Sequence, residues 1–236
     1  MDRRHALFRS ELKFLVDEHT LQIMERKLSP VLYKDLHQVH KAYRVRSIYF
    51  DTYTRKAYRE NDAGVEERKK FRIRVYDNPK NAIRLEVKQK LKDRNYKESC
   101  YLTIAQFEAI MNRTLRHDKN FPKALNLLYL ELYTRFLAPS VIVEYERSAY
   151  THQTNNVRVT FDRNISFSYE FDKFLEDELP KATPLLPLNK HIFEIKYDGA
   201  LPDFIAQAIE TGQLERTTFS KFYFSHLRAE GEEIRC

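Results

Sequence analysis

Between Glu66 and Lys90 the chain reads EERKKFRIRVYDNPKNAIRLEVKQK, two runs of strict alternation around a turn. Phe71, Ile73 and Val75 share one face and Arg72 and Arg74 the other; then Ile83, Leu85 and Val87 oppose Arg84, Glu86, Lys88 and Lys90. Period-two alternation marks β-strands with one buried face. Asp77-Asn78-Pro79 supplies turn chemistry, so the stretch predicts an antiparallel hairpin. Its polar face is unusual in carrying charges almost throughout, most of them basic.

The same period recurs along the chain. Phe8 to Phe14 alternates Phe8, Leu12 and Phe14 with Arg9, Glu11 and Lys13. Arg44–Asp51, Tyr96–Leu102 and Val141–Tyr150 read as strands, and Val157–Asp162 opposes Val157, Val159 and Phe161 to Arg158, Thr160 and Asp162. Ile165, Phe167 and Tyr169 form a separate strand paired with it as a hairpin, and Ile192–Tyr197 sets Phe193 and Ile195 against Glu194 and Lys196. Helical spacing appears over 20–36, where Pro30 should end or kink the helix near Ser29. It appears again over 103–113, where Thr103 and Gln106 make a capping box, over 124–136 and over 202–211, with a short helix at the C-terminus. Tyr53–Asn61 is a polar connection or short helical turn, and Glu176–Pro187 a proline-rich loop. His37 and His40 could share a helical face, but with no third ligand nearby they read as surface histidines. No repeat or linker divides the chain, so residues 1–236 are expected to form one domain.

Composition changes this picture in one direction. The 236 residues include 41 Lys and Arg against 34 Asp and Glu, a net charge of +7, which implies an acidic partner. Only two cysteines, Cys100 and Cys236, argue against a disulfide framework. The absence of a long apolar run or an apolar leader leads to an expected cytoplasmic location. None of the four glycines, Gly64, Gly199, Gly212 and Gly231, falls in a dinucleotide fingerprint or a P-loop. Phosphate, if bound, must be held by side chains.

Any one charged face could be a solvated face with cross-strand ion pairs. Five together point elsewhere: Arg9/Glu11/Lys13, Arg72/Arg74, Arg84/Glu86/Lys88/Lys90, Arg158/Asp162 and Glu194/Lys196. The expected fold is α+β, an antiparallel closed β-barrel of about eight strands with a charged lumen and helices packed outside. Crowded like charges suit such a lumen only if it holds polyanions. Side chains at i and i+2 stand about 6.5–7 Å apart along a strand, which suits a short phosphate chain. Glutamates in register with lysines suggest a divalent metal bridging phosphate oxygens, and argue against nucleic acid as the ligand.

These residues resemble a known family. E-L-K-F at 11–14, S-I-Y-F-D-T at 47–52, F-R-I-R-V-Y at 71–76, L-E-V-K at 85–88, E-Y-E-R-S-A-Y at 144–150, R-V-T-F-D at 158–162, F-E-I-K at 193–196 and F-S-K-F at 219–222 occur in the order of the VTC domain. That domain is the polyphosphate polymerase branch of the CYTH-like triphosphate tunnel metalloenzymes. CYTH triphosphatases carry E-x-E-x-K near the start; here Arg9 replaces the first Glu, and F-S-K-F is VTC-like, which favours the polymerase. The resemblance implies transfer of the ATP γ-phosphoryl group to inorganic polyphosphate with Mn²⁺ or Mg²⁺. A metal-dependent triphosphatase or a non-catalytic polyphosphate binder is the alternative. It implies phosphate contacts from Lys13, Arg72, Arg74, Lys88, Lys90, Arg147, Arg158 and Lys221, metal ligation by Glu194 with Glu86 and Glu11, and Lys196 beside them. Arg72, Arg74, Lys88, Lys196 and Glu194 would carry catalysis. Any membrane-protein partner would be a separate chain. Arg147 shares strand parity with Val143 and Tyr145, so an inward Arg147 is expected to need a bulge or an exit from the barrel wall.

Overall fold

A computed structural model describes residues 9–36, 38–91, 94–210 and 214–231. Phe8, His37, Gly212 and Cys236 lie outside the described residues. The strands are β1 (Arg9–Asp17), β2 (Tyr33–Lys34), β3 (Tyr43–Asp51), β4 (Arg68–Tyr76), β5 (Ile83–Leu91), β6 (Arg94–Leu102), β7 (Ala138–His152), β8 (Val157–Ser168), β9 (Thr183–Pro184), β10 (Lys190–Asp198) and β11 (Glu215–Arg216). The helices are α1 (Glu18–Leu28), α2 (Lys56–Asp62), α3 (Ile104–Met111), α4 (Lys123–Thr134), α5 (Asp203–Glu210) and α6 (Lys221–Ala229).

All strand pairs are antiparallel, and the order is β11-β1-β10-β8-β7-β3-β4-β5-β6, with β2 on β7 and β9 on β8. The α+β class holds, but among the described residues hydrogen bonds do not close the sheet, which has 11 strands there where about eight were expected. Three of these are two-residue pieces too short to read from periodicity. The sheet nevertheless curls. Six strand spacings of about 4.8 Å would hold β1 and β5 about 29 Å apart on a flat sheet, yet Glu11 and Lys196 both act electrostatically on Lys88 of β5, and Lys13 acts on Lys70 of β4.

Alternation divides the side chains between two faces. On the convex side Ile48, Phe71, Ile73, Val75, Leu85 and Val87 pack under α3 and α4, and Phe14, Val16, Phe161, Phe193 and Ile195 pack under α1 and α5. The Thr103–Gln106 capping box is present with both of its bonds. Helix α1 stops at Leu28, with Ser29 as its C-cap, so the spacing predicted to Leu36 ends where Pro30 requires. On the concave side an apolar cluster of Tyr49, Val143, Tyr145, Phe167, Phe219 and Phe222 fills one region, and α6 contributes Phe222 to it. One helix therefore packs on the inner face, contrary to the expectation that all helices lie outside. Asp51 fixes α2, accepting from the backbone N–H groups of Ala57 at 2.8 Å and Tyr58 at 3.0 Å.

The stretch 157–168, expected as two strands of a hairpin, is one strand with a bulge. Glu146 pairs with Arg163 and Glu144 with Ser166, so Asn164 and Ile165 together stand against Tyr145. Asn164 adopts φ 51°, a left-handed conformation that asparagine tolerates better than most residues. The extra residue lets Arg158, Thr160 and Asp162 share the concave face with Ile165 and Phe167. It also corrects the expectation for Arg147. That residue reaches the concave face with Val143 and Tyr145, and the bulge beside them lies on β8.

Candidate active site

Among the described residues the concave charges come from seven strands. From β1 and β10, Glu11, Lys13, Glu194 and Lys196 form a lattice of alternating sign: Lys13 Nζ is 2.5 Å from Glu11 and 3.8 Å from Glu194, and Lys196 Nζ is 2.5 Å from Glu194 and 3.4 Å from Glu11. The pairing of Glu11 with Lys196 and of Lys13 with Glu194 in the β1/β10 register produces this arrangement. Burial alone would raise the Glu194 carboxyl, but Lys196, Lys13, Arg147 and Lys221 hold it well below its usual range.

The opposite wall is built by β4, β5 and β6. Glu86, 1 % exposed, accepts from Arg72 Nε at 2.6 Å and from Lys97 Nζ at 2.5 Å, with Arg74 at 3.9 Å. These cations overcome its burial and keep it ionised. Arg74 also donates through Nε to Ser47 Oγ at 3.0 Å and through Nη2 to the Tyr145 hydroxyl at 3.4 Å. Lys88 lies directly across from Lys70 and makes no ion pair among the described residues. Repulsion from Arg72, then loss of water, then Lys196 and Arg74, pushes its ammonium down to about 7. Its side chain is open to solvent, so repulsion carries that shift more than dehydration does. Lys70 falls to about 8 through burial and the neighbouring Arg68.

Arg147 and Lys221 occupy the region next to α6, and both bind one carboxylate. Asp162 accepts from Arg147 Nε at 2.6 Å, Arg147 Nη2 at 2.7 Å and Lys221 Nζ at 2.6 Å. Arg158 is tied to Asp35, with Nη2 2.9 Å from Oδ2, and to the Tyr43 hydroxyl at 3.4 Å. Lys90 lines a separate cavity with Lys56, Glu60, Arg68, Lys69 and Glu131 at the ends of β4 and β5; it is the one expected phosphate ligand in that lining. Sequence reading did not single out Tyr145, Lys70, Lys97 or Ser47 for the site, and named Asp162 only as part of the charged Arg158/Asp162 face. Tyr145 and Asp162 carried a usable signal, since they share strand faces with Arg147 and Arg158.

Among the described residues no group of three or more His, Cys, Asp or Glu side chains could cage a metal ion. Glu11 and Glu194 still fit a Mg²⁺-like ion of the kind held by one or two carboxylates plus substrate phosphates. Glu86, enclosed by Arg72, Arg74 and Lys97, fits it poorly. No helix of the described residues is long and apolar enough to cross a membrane.

Three solved structures share the fold. A putative adenylyl cyclase from Hippeastrum, described as having a dominant triphosphatase activity, matches with TM-score 0.54 and 14% identity over 95% of this chain and 98% of its own. The PH1819 protein from Pyrococcus horikoshii OT3 matches with TM-score 0.51 and 14% identity over 94% and 99%. A putative adenylate cyclase from Vibrio parahaemolyticus matches with TM-score 0.51 and 13% identity over 94% and 99%. No curated protein matches the sequence. The family model of the VTC domain matches residues 8–227. With the charged inner face in place and that match spanning nearly its whole length, the chain belongs to the VTC domain family.

Proposed function

We propose that the protein is an ATP-dependent polyphosphate polymerase that works on its concave face. The observation that carries this reading is the excess of inward cations, expressed most clearly at Lys88, whose ammonium is driven to about 7 by Arg72, by loss of water and by Lys196 and Arg74. A phosphate chain laid between the walls relieves that repulsion. Arg72 and Arg74 offer guanidinium forks, and Lys13, Lys88 and Lys196 offer point charges. Arg147, Arg158 and Lys221 extend the track, whereas Lys90 lines the separate cavity.

Transfer to a phosphate acceptor suits the carboxylates. The terminal oxygen of polyphosphate is already anionic, so it attacks the γ-phosphorus without giving up a proton. The bond from that phosphorus to the β–γ bridging oxygen breaks and ADP leaves. Positioning and charge neutralisation carry such a reaction. Glu86, Glu194 and Asp162 are all held ionised by cations, which makes them weak bases toward water. Glu194 and Glu11 would hold Mn²⁺ or Mg²⁺, which when bound neutralises developing charge on the phosphates.

One observation favours a triphosphatase as the second reading: Lys88 near neutrality could accept a proton from water. Bound triphosphate would cancel the repulsion and return Lys88 to its ammonium form, so the polymerase remains preferred. The test follows the γ-phosphorus of labelled ATP with either metal. Label in acid-insoluble long chains, with ADP released in equal amount, supports the polymerase. Label recovered wholly as orthophosphate would overturn it.

A further inference from the structure

Two cations assigned to phosphate, Arg147 on β7 and Lys221 on α6, are joined by Asp162, a carboxylate that has so far figured only as a weak base. Asp162 is 0 % exposed. It takes three charge-assisted bonds, two from Arg147 and one from Lys221, none longer than 2.7 Å. Both cations also lie over one aromatic ring, Arg147 5.0 Å and Lys221 4.6 Å from the Tyr145 centroid, and the hydroxyl of that tyrosine accepts from Arg74. Burial would raise the Asp162 carboxyl, but Arg147 and Lys221 keep it lowered, so the cluster stays charged. Arg147 Nη1 makes no hydrogen bond among the described residues, which leaves donors of that guanidinium for a ligand.

We propose that Asp162 is a positioning residue for phosphoryl transfer: it touches no phosphate, and it locks Arg147 and Lys221 over Tyr145 so that two cations from different elements face one phosphate. This rests on the reading of the concave face as the phosphoryl-transfer site. It assigns the carboxylate a cost in binding, because its negative charge opposes the polyanion, and a gain in turnover, because it orients the donors. A carboxylate needed only for folding would show no such opposition.

The test is Asp162→Asn in the full chain, which keeps the shape and removes the charge, compared with the wild type. Tripolyphosphate affinity is measured by calorimetry and ATP-dependent polymer formation by kcat and KM. The proposal expects kcat to fall at least tenfold while the tripolyphosphate Kd stays unchanged or tightens severalfold. An unchanged kcat, or a kcat and an affinity that fall together, would overturn it. If Asp162→Asn does not fold, Asp162→Glu keeps the charge and moves it by one methylene. That variant is expected to lose about tenfold in kcat with unchanged Kd, and a wild-type rate would overturn the proposal. Wild-type protein without turnover would count against the transferase reading, while a Kd weakened in Asp162→Asn would count against the role of Asp162 alone.

Discussion

Arg72 and Glu86 stand directly opposite on β4 and β5, joined Nε to Oε2 at 2.6 Å, with Glu86 almost wholly buried. The carboxylate is the counter-charge of one wall of the concavity, since Lys97 and Arg74 also lean on it. Breaking a buried pair by removing one partner costs about 3–5 kcal/mol. Lys97 is half exposed, so solvent screens its share. Glu86→Gln is therefore expected to destabilise by about 2–3 kcal/mol in urea unfolding. Added tripolyphosphate should recover more of the loss in the variant than it adds to the wild type. Equal stabilisation of both by tripolyphosphate would contradict this.

Acid should undo the same wall. Glu86 ionises in the folded chain well below its ordinary 4.5, because Arg72, Arg74 and Lys97 outweigh its burial. The stabilisation is complete above that ordinary value and declines as pH falls toward the folded value. The slope of stability against pH below about 4.5 should be shallower in Glu86→Gln than in the wild type, read by denaturant unfolding at a series of pH values.

Lys88 gives the same sign in a window at higher pH. Its ammonium is lowered to about 7 from an ordinary 10.5, so the unfolded chain holds more protons between those values. Stability contributed at this residue therefore rises with pH across that window. Polyanion binding should restore the proton. Calorimetry at pH 8 in buffers of different ionisation enthalpy should register proton uptake with tripolyphosphate, and Lys88→Met should abolish most of it. No uptake in the wild type would show that Lys88 does not meet the ligand.

Asn164 sets the parity of β8. With φ 51° it occupies a region that costs a β-branched residue about 1–2 kcal/mol. Asn164→Val should destabilise by about that amount and lower polymer synthesis further, because Asp162 lies two residues away on the realigned strand. Asn164→Gly should keep both. A fully active Asn164→Val would mean that the bulge does not govern the site.

The legible part of this structure is local. The faces of β4 and β5, of β1 and of β10 follow from alternation within nine residues, and Arg72, Arg74, Glu86, Glu194 and Lys196 fell on the predicted side. The capping box at Thr103 and the stop at Pro30 depend on a few neighbours, and both were readable. What sequence could not supply was set by distant contacts. A single inserted residue at Asn164 converts an apparent hairpin into one strand, and its effect appears only against β7. The placement of α6 inside the curved sheet depends on Phe222 meeting Tyr49, 173 positions earlier in the numbering, at 5.3 Å between ring centroids. The pairing of Arg147 and Lys221 on Asp162 follows from that same docking.

The most direct measurement of the central claim incubates the purified protein with ATP and Mn²⁺ or Mg²⁺ and resolves the products on a gel stained for polyphosphate. A ladder in the wild type that is absent from Glu194→Ala and Arg74→Ala, with both variants folded, is the predicted result. Orthophosphate without polymer, or a ladder that survives both substitutions, would contradict it.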